Sequence, residues 1–504
     1  MKADLIKLPE PTLRFGYDQE MEDPKDGLML FGPLDEGRPY GIRCGVIGTR
    51  DGIGRFVRWL NRIQGPVFDN PPHPARPPFP GFEAVFRIPW NPKPMLEIEV
   101  SWDELNQVLR LDDSHQRVFK AVDIYSGPII DATKQEESDV DVWFVIIPDD
   151  VYKYCRPQSR VESELQIEAE SKMSLSRARI LRQQASFFPE DTVAAIPYHY
   201  DVDFHSQLKA RLLPYTTPTQ ILKESTIAHQ EFRDGFDRPK RDLDPLQSDI
   251  AWSISTAAFY KAGGRPWKIG RIRDGVCYVG LVFKRDDKNP NPRSACCAAQ
   301  MFLDSGDGVV FKGAVGPWYA PGRGDFHLSR KAASDLVSLA LESYQQKKGH
   351  LPEELFLHGK VRFEDEEWKG FQDPLNGGTS LVGVRIRDHG DVKLYRMGKH
   401  PVLRGLAYIR DERTAYLWTK GFVPRLQTYP GREVPKPLLV DVCRGVADIE
   451  TILSDIMALT KLNYNACVFA DGVPVTLKFA DAVGEILTAG PLESVSPLPF
   501  KHYI

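Results

Sequence analysis

Four side chains near the middle of this chain are of the kinds that can hold a terminal phosphate. His205 and Lys209 stand four residues apart, so on a helix both leave from one face. Gln220 follows a polar turn over Thr216 to Pro218, and Lys261 lies just ahead of Gly263 and Gly264. Ammoniums act on such a group as point charges, while an amide and an imidazole fix its oxygens by directed hydrogen bonds. Each residue also has an ordinary role open to it. Lys261 would suit a helix C-terminus through the dipole, His205 a surface position and Gln220 a turn.

Two other sets of residues invite a chemical reading. Gly45, Gly48, Gly52 and Gly54 lie between an apolar run and a helical pattern, as in a dinucleotide-binding turn. Their spacing departs from G-x-G-x-x-G and no matching acid stands downstream, so tight turns are the expected role. The seven cysteines include the neighbours Cys296 and Cys297 but no C-x-x-C pair. Those two are expected as buried packing, and the set points to a reducing, cytoplasmic compartment.

The elements that must position these groups alternate between strand and helix. Gly41 to Gly48 reads as a buried strand and Gly52 to Leu60 as the helix after it. The stretch 66–80 holds seven prolines and reads as an extended surface connection. Val140 to Pro148 is apolar without a break from Val142 to Ile147, as a strand covered on both faces should be. Glu162 to Gln184 is charged and helix-prone with few large apolar residues, so a solvated arm is expected. A helix over Phe204 to Leu213 carries the first two candidate ligands. A second, Asp249 to Lys261, is expected to start behind Ser248 as N-cap and to stop at the two glycines. From about Gly270 come a strand at Val276 to Phe283, a hairpin over Met301 to Val315 turning at 305–308, a helix at Ser329 to Gln346 and a strand at Leu355 to His358. Ala332, Leu336, Leu339 and Ala340 are expected on the inner face of that helix. This order fits an RNase H-like sheet.

At 504 residues and 42% hydrophobic, the chain has material for two or three domains with cores of their own. A net charge of -4 excludes a protein that grips nucleic acid through bulk positive field, so any such site must be local and shaped. Met1 to Glu20 lacks the apolar centre of a secretory signal, and no 18-residue uncharged stretch follows. A soluble protein is expected, with no membrane partner.

The segments HSQLKARLLPYTTPTQ and YKAGG resemble the guide-binding pocket of the Argonaute MID domain, and VPKPLLVDV and LTKLNYNACVFADGVPVTLKFADAVGEIL resemble the PIWI domain. DGLMLFGP is similar to the segment that leads into MID. The phrases VDVWFVIIPDDVYKYCRP and NPRSACCAAQMFLDSGDG, with no room for N and PAZ lobes, identify the chain as similar to short prokaryotic Argonautes, closest to those paired with a TIR-APAZ protein. The resemblance implies an α/β architecture: a linker-like segment 1–37, a Rossmann-like MID domain 38–268 with a charged insertion at about 160–200, then an RNase H-like PIWI domain 269–504, and no PAZ domain. It makes His205, Lys209, Gln220 and Lys261 the ligands of a guide 5'-phosphate. Ala257 stands where many eukaryotic members have another lysine. In some prokaryotic relatives a metal supplies such a charge, which makes Mg²⁺ the implied cofactor and Gln220 and the C-terminal Ile504 its ligands.

PIWI nucleases cut with four acidic or His ligands that hold two divalent ions about 4 Å apart. Matching that pattern puts Val282 near the first position, Gly359 or its neighbours near the third and Asp481 near the fourth, with Asp286 and Asp287 read as solvated loop charges. The resemblance therefore implies a guide-binding subunit without catalytic residues. It would pair a small guide RNA with complementary single-stranded DNA of an invader. A TIR-APAZ partner that hydrolyses NAD⁺ would form a heterodimer with it, or a higher oligomer on activation. The alternatives are an active RNase H-like guided nuclease, an Argonaute serving a Sir2-APAZ or nuclease-APAZ effector, and a nucleotide-binding α/β protein that uses the glycine-rich turn.

Overall fold

The computed structural model describes residues 4–504 apart from 36, 136–138, 185–186, 272, 286–294, 304–307, 316–317, 321–324, 430, 432 and 492–497; at 282, 285, 295–298, 303, 311–315, 318–320 and 480 it describes the backbone alone. Asp286, Asp287 and the tip of the hairpin thus lie outside the described residues. Among the described residues no helix is long and apolar enough to cross a membrane.

The first strand, β1 (Asp4–Lys7), belongs to a sheet built mainly from the C-terminal half. A separate four-stranded sheet follows in sequence: β2 (Cys44–Gly48), β3 (Leu96–Glu99), β4 (Val142–Ile147) and β5 (Thr219–Lys223), parallel throughout and ordered β3-β2-β4-β5. Every residue of β2 and β4 is buried, which is why both read as unbroken apolar runs rather than alternating ones. Helix α1 (Arg50–Arg62) covers one face, and its first turn is capped by Thr49, whose Oγ1 accepts from the Gly52 amide at 3.0 Å. On the other face α2 (Ser114–Lys134) and α3 (Phe204–Leu212) share a core of Tyr125, Trp143, Phe204, Leu208 and Leu212. Asp203 caps α3 by accepting from the Ser206 amide at 2.8 Å.

Helix α4 (Gln247–Lys261) differs at its start from the sequence expectation. Ser248 is not the N-cap but the second helical residue, and its amide donates to the Asp69 carboxylate at 2.7 Å. Asp69 comes from the proline-rich stretch, so the cap is supplied by a segment 179 residues away rather than by a local side chain. That stretch forms no helix or named strand, yet it is more than a surface connection. Val67 and Phe79 are buried and pair through their backbones, and the Phe79 ring meets Trp252 of α4 edge-on at 5.1 Å. At its other end α4 stops as expected, with Gly263 at φ +98°.

Charged residues 162–184 also depart from one long arm. Only a single turn at Ser163–Leu165 and the helix Leu175–Gln183, capped by Ser174, take helical form. The residues between lack an apolar face that would repay helical order.

The second sheet has ten strands: β1, then β6 (Val276–Arg285), β7 (Ala295–Leu303), β8 (Gly308–Val315), β9 (Glu354–Gly359), β10 (Ser380–Asp388), β11 (Leu406–Asp411), β12 (Thr414–Trp418), β13 (Leu438–Arg444) and β14 (Leu498–Pro499). Their order is β1-β11-β12-β13-β10-β9-β6-β7-β8-β14. The expected hairpin is β7 with β8, antiparallel. At the centre β9 runs parallel to both β6 and β10, with His358 opposite Gly280. Residues 4–14 are woven into this frame: β1 adds to β11 at the sheet edge, and Leu13–Arg14 pairs with Lys268–Ile269. Glu10, placed beside Arg404 and Lys461, ties the same segment down by hydrogen bonds of 3.0 Å and 2.8 Å.

Ser329, expected as the first helical residue, instead caps helix α5 (Arg330–Lys348), whose buried line is Ala333, Leu336, Val337, Ala340, Leu341 and Tyr344. Leu339 is exposed and Ala332 only partly covered. The neighbouring helix Asp365–Gln372 decides this, because Gly370 lets Ala333 and the Arg330 carbonyl approach its backbone.

Candidate nucleic-acid interface

Three elements and the chain terminus converge at the amino end of β5. Helix α3 presents Lys209, β5 opens with Thr219 and Gln220, and α4 ends in Lys261. Both lysines are buried, and both donate to the Thr219 carbonyl oxygen, Lys209 Nζ at 3.0 Å and Lys261 Nζ at 2.9 Å. Lys261 Nζ also donates to Gln220 Oε1 at 2.6 Å. Lys209 Nζ reaches the terminal Ile504 oxygen at 2.5 Å, although the two residues are 295 apart in sequence. Ile504, Tyr503 and Phe500 are all buried in the core shared by the two sheets, which holds the chain end in this place.

His205 sits one helical turn before Lys209, with solvent on its outer side. Crowding by protein, then repulsion from Lys209 and Lys261, push its imidazole below the ordinary value. The structure therefore brings together all five residues singled out in the sequence: His205, Lys209, Gln220, Lys261 and Ile504. It adds two that spacing did not show. His502 is buried, and burial followed by repulsion from Lys501, Lys209 and Lys261 pushes it down to about 3, so it is neutral. Lys501 Nζ donates to the Lys261 carbonyl at 3.3 Å. The only signal for them was a basic pair three residues from the end of the sequence, and no periodicity links such a pair to α4.

The electrostatics of this cluster are those of a site for an anion. Burial pushes Lys209 down to about 7, and burial together with repulsion from Lys209 pushes Lys261 well below its ordinary value. The two lysine side chains share one carbonyl oxygen, and Lys209 also reaches the Ile504 oxygen. A dianion entering here would favour the charged form of both lysines and accept from them directly.

The glycine-rich turn after β2 has a different content. Glu224 Oε1 accepts from Thr49 Oγ1 at 3.0 Å, and Arg55 donates to Glu224 Oε2 at 2.7 Å. A Cβ on Gly52 would lie 2.7 Å from Glu224 Oε1. A carboxylate of the protein itself thus occupies the start of α1, where a dinucleotide would need its phosphates.

A cleft of about 920 Å³ lies between the two halves. Asp249 and Ser253 of α4 line it on one side, and Lys360, Arg387, Lys420 and Asp481 line it on the other. Lys360 follows β9 directly, and Asp481 stands in the first turn of helix α6 (Ala480–Thr488). Lys360 Nζ contacts both oxygens of Asp481, at 3.1 Å and 2.9 Å. Val282 lies two residues beyond Gly280 in β6, the strand beside β9. The positions singled out near Val282, Gly359 and Asp481 therefore belong to one neighbourhood, and an ammonium pairs with the carboxylate there.

No protein-family model matches the chain, and no curated protein sequence does. Solved structures do. Clostridium butyricum Argonaute bound to a guide DNA and a 19-mer target DNA aligns with a TM-score of 0.59 at 13% identity, over 98% of this chain and 55% of that one. Aa-Ago with externally bound siRNA aligns at 0.58 and 14% identity, over 100% and 56%, and A. aeolicus Argonaute at 0.55 and 14%, over 99% and 55%. The chain has an Argonaute fold and spans about half the length of the Argonautes it matches.

Proposed function

We propose that this chain is the guide-binding subunit of a prokaryotic defence complex, anchoring a short RNA by its 5'-phosphate and pairing it with complementary single-stranded DNA. The observation that carries the reading is the convergence of Lys209 and Lys261 on one carbonyl beside the chain terminus. Two buried ammoniums with so little opposing charge are costly unless a ligand anion completes them. His205, one turn before Lys209 on the same helix, would add an imidazole, and Gln220, which accepts from Lys261, would offer an amide N–H to a phosphate oxygen.

Mg²⁺ suits the donors present: the Gln220 amide oxygen, which accepts from Lys261, and the Ile504 oxygen, which accepts from Lys209, are hard oxygen ligands. Bound there, the ion would supply the positive charge that Ala257 leaves out. The ammoniums, the imidazole and the amide remain the chain's own contribution, which is to orient the guide end and exclude other termini.

In the PIWI half we read a surface that holds a guide–target pair without cutting it. The Lys360–Asp481 pair supports this, since an ammonium stands where a two-metal site needs carboxylate charge. The output activity would then reside in an associated APAZ protein, with TIR-type NAD⁺ hydrolysis the branch that the sequence resembles most. Purification followed by sequencing of bound nucleic acid tests the reading. Short 5'-phosphorylated RNA is expected, and recovery of none, or of 5'-hydroxyl RNA, would overturn it. Guide-directed cutting of a matched target in Mg²⁺ or Mn²⁺, abolished by Asp481→Ala, would replace the non-cutting reading with that of a nuclease.

A further inference from the structure

We propose that the loop joining β10 to β11 is a landing surface for unpaired single-stranded nucleic acid running on from the cleft, with Tyr395 as a stacking platform for a base. This rests on the guide-and-target reading and adds to it a contact with bases outside the paired stretch.

The loop spans seventeen residues, between the end of β10 at Asp388 and the start of β11 at Leu406, and forms no helix or named strand. Connections of that length inside a compact unit are uncommon unless they bind something. Its two ends are fixed. The His389 amide donates to the Pro437 carbonyl at 3.0 Å, the His400 ring stacks on Phe422 at 4.1 Å, and the Phe422 amide donates to the Val402 carbonyl at 2.8 Å. Between these anchors the surface is open. Tyr395 is 76% and Met397 95% exposed, and Lys393, Arg396 and Lys399 are exposed beside them.

Charge sets this loop apart from the rest of the chain. Elsewhere cations face carboxylates, as Arg55 does between Glu224 and Glu231 and Arg273 between Glu354 and Asp455. No acid stands from Val392 to Arg404, and Lys393, Arg396 and Lys399 make no ion pair with a described residue. Cations without a counter-charge, interleaved with an exposed aromatic ring, suit a polyanion that also offers flat π-faces. Single-stranded nucleic acid is such a ligand. Stacking tolerates any base, so the loop would accept a flank of any sequence.

Continuity with the cleft favours a polynucleotide over a lipid surface. Arg387 and Asp388, the last residues of β10, line the cleft, and so does Val423, next in sequence to the Phe422 anchor. A strand leaving along this wall meets Arg387 first and the loop next.

The test uses the full chain loaded with a 5'-phosphorylated guide. Matched DNA targets either end flush with the guide or carry a short oligothymidine extension at the 3' or the 5' end. One of the two extensions should tighten target binding by roughly fivefold or more, the worth of one stacked base. Tyr395→Ala should lose most of that gain and leave the flush target unchanged. An abasic extension, which keeps the phosphates and lacks the bases, should give a smaller gain in the parent protein. Lys393→Ser, Arg396→Ser and Lys399→Ser together should remove the remainder and lower the salt dependence by up to about three phosphate contacts. No gain from either extension in the parent, or a gain that survives in both variants, overturns the proposal. Binding to phosphatidylserine vesicles that the triple variant abolishes, with the extension gain intact, would assign the loop to a membrane instead. If the parent binds no flush target, the guide-and-target reading fails, and oligothymidine alone then tests the loop. Binding at low salt that both variants weaken keeps the surface, and equal binding by all three proteins, or none, removes it.

Discussion

Lys209 and Lys261 on one side and Lys360 on the other carry the same chemical group into opposite surroundings. The first two are buried, share an uncharged acceptor and are both pushed below their ordinary value, Lys209 to about 7. Lys360 stands half in solvent against a full carboxylate. A buried cation gains much from an incoming anion and loses much without one, because little water remains to screen it. An exposed cation gains little from any single partner and changes partners freely. On the proposed reading, the pocket would select one terminal group and the cleft would hold an anion only weakly.

The largest expected effect breaks the first half of this comparison. Lys209→Ala or Lys261→Ala should weaken a 5'-phosphorylated guide by about 1.5–3 kcal/mol, or tenfold to 150-fold, and a 5'-hydroxyl guide far less. Equal losses measured for the two guides by filter binding would remove the pocket assignment. The double variant should lose less than the sum, since both lysines would share one phosphate.

Residues appended after Ile504 should impair guide loading next most strongly, because the terminal oxygen that Lys209 contacts would no longer end the chain. The comparison is between a tagged and an untagged chain in guide titrations with and without Mg²⁺. Equal affinity and equal metal dependence would rule out Ile504 as a ligand.

A third outcome separates binding from stability. Lys261→Met should stabilise the empty protein by roughly 1 kcal/mol or more, since it replaces a buried ammonium by an apolar chain of similar length. The sign follows from a folded-state pKa held below 10.5: the cost of that lysine is full at and below its depressed value and fades as pH rises toward 10.5. Thermal unfolding at pH 7 and pH 10 checks this, and a gain that grew with pH would contradict it. The smallest effect sharpens the second half. Lys360→Met should shift stability by less than about 1 kcal/mol, as an exposed pair does, and a larger loss in the same melts would mean that the pair is structural.

Local pattern made much of the frame legible. Unbroken apolar runs marked β2 and β4, the four-residue spacing placed His205 and Lys209 on one helix, and Gly263 ended α4. Ser248 misled because a serine before an apolar run is a good local cap, whereas the actual acceptor is Asp69 from the proline-rich segment. Leu339 misled for a related reason. Helical periodicity permits several adjacent stripes, and the docking of the helix Asp365–Gln372 on Ala333 chose among them.

By itself, the sequence determined which residues can be cationic, which segments must be strand or helix, and that no bulk positive field draws nucleic acid to this chain. Only the tertiary structure decided that Lys209 and Lys261 share the Thr219 carbonyl, that Ile504 ends beside them, and that Lys360 faces Asp481. The physical reason is range. Propensity and periodicity act over a few residues, while these contacts span 10, 42, 295 and 121 positions and exist because two sheets bury a common core. Burial then alters the chemistry itself: a lysine is pushed below its ordinary value beside the Thr219 carbonyl and is left partly solvated against a carboxylate in the cleft.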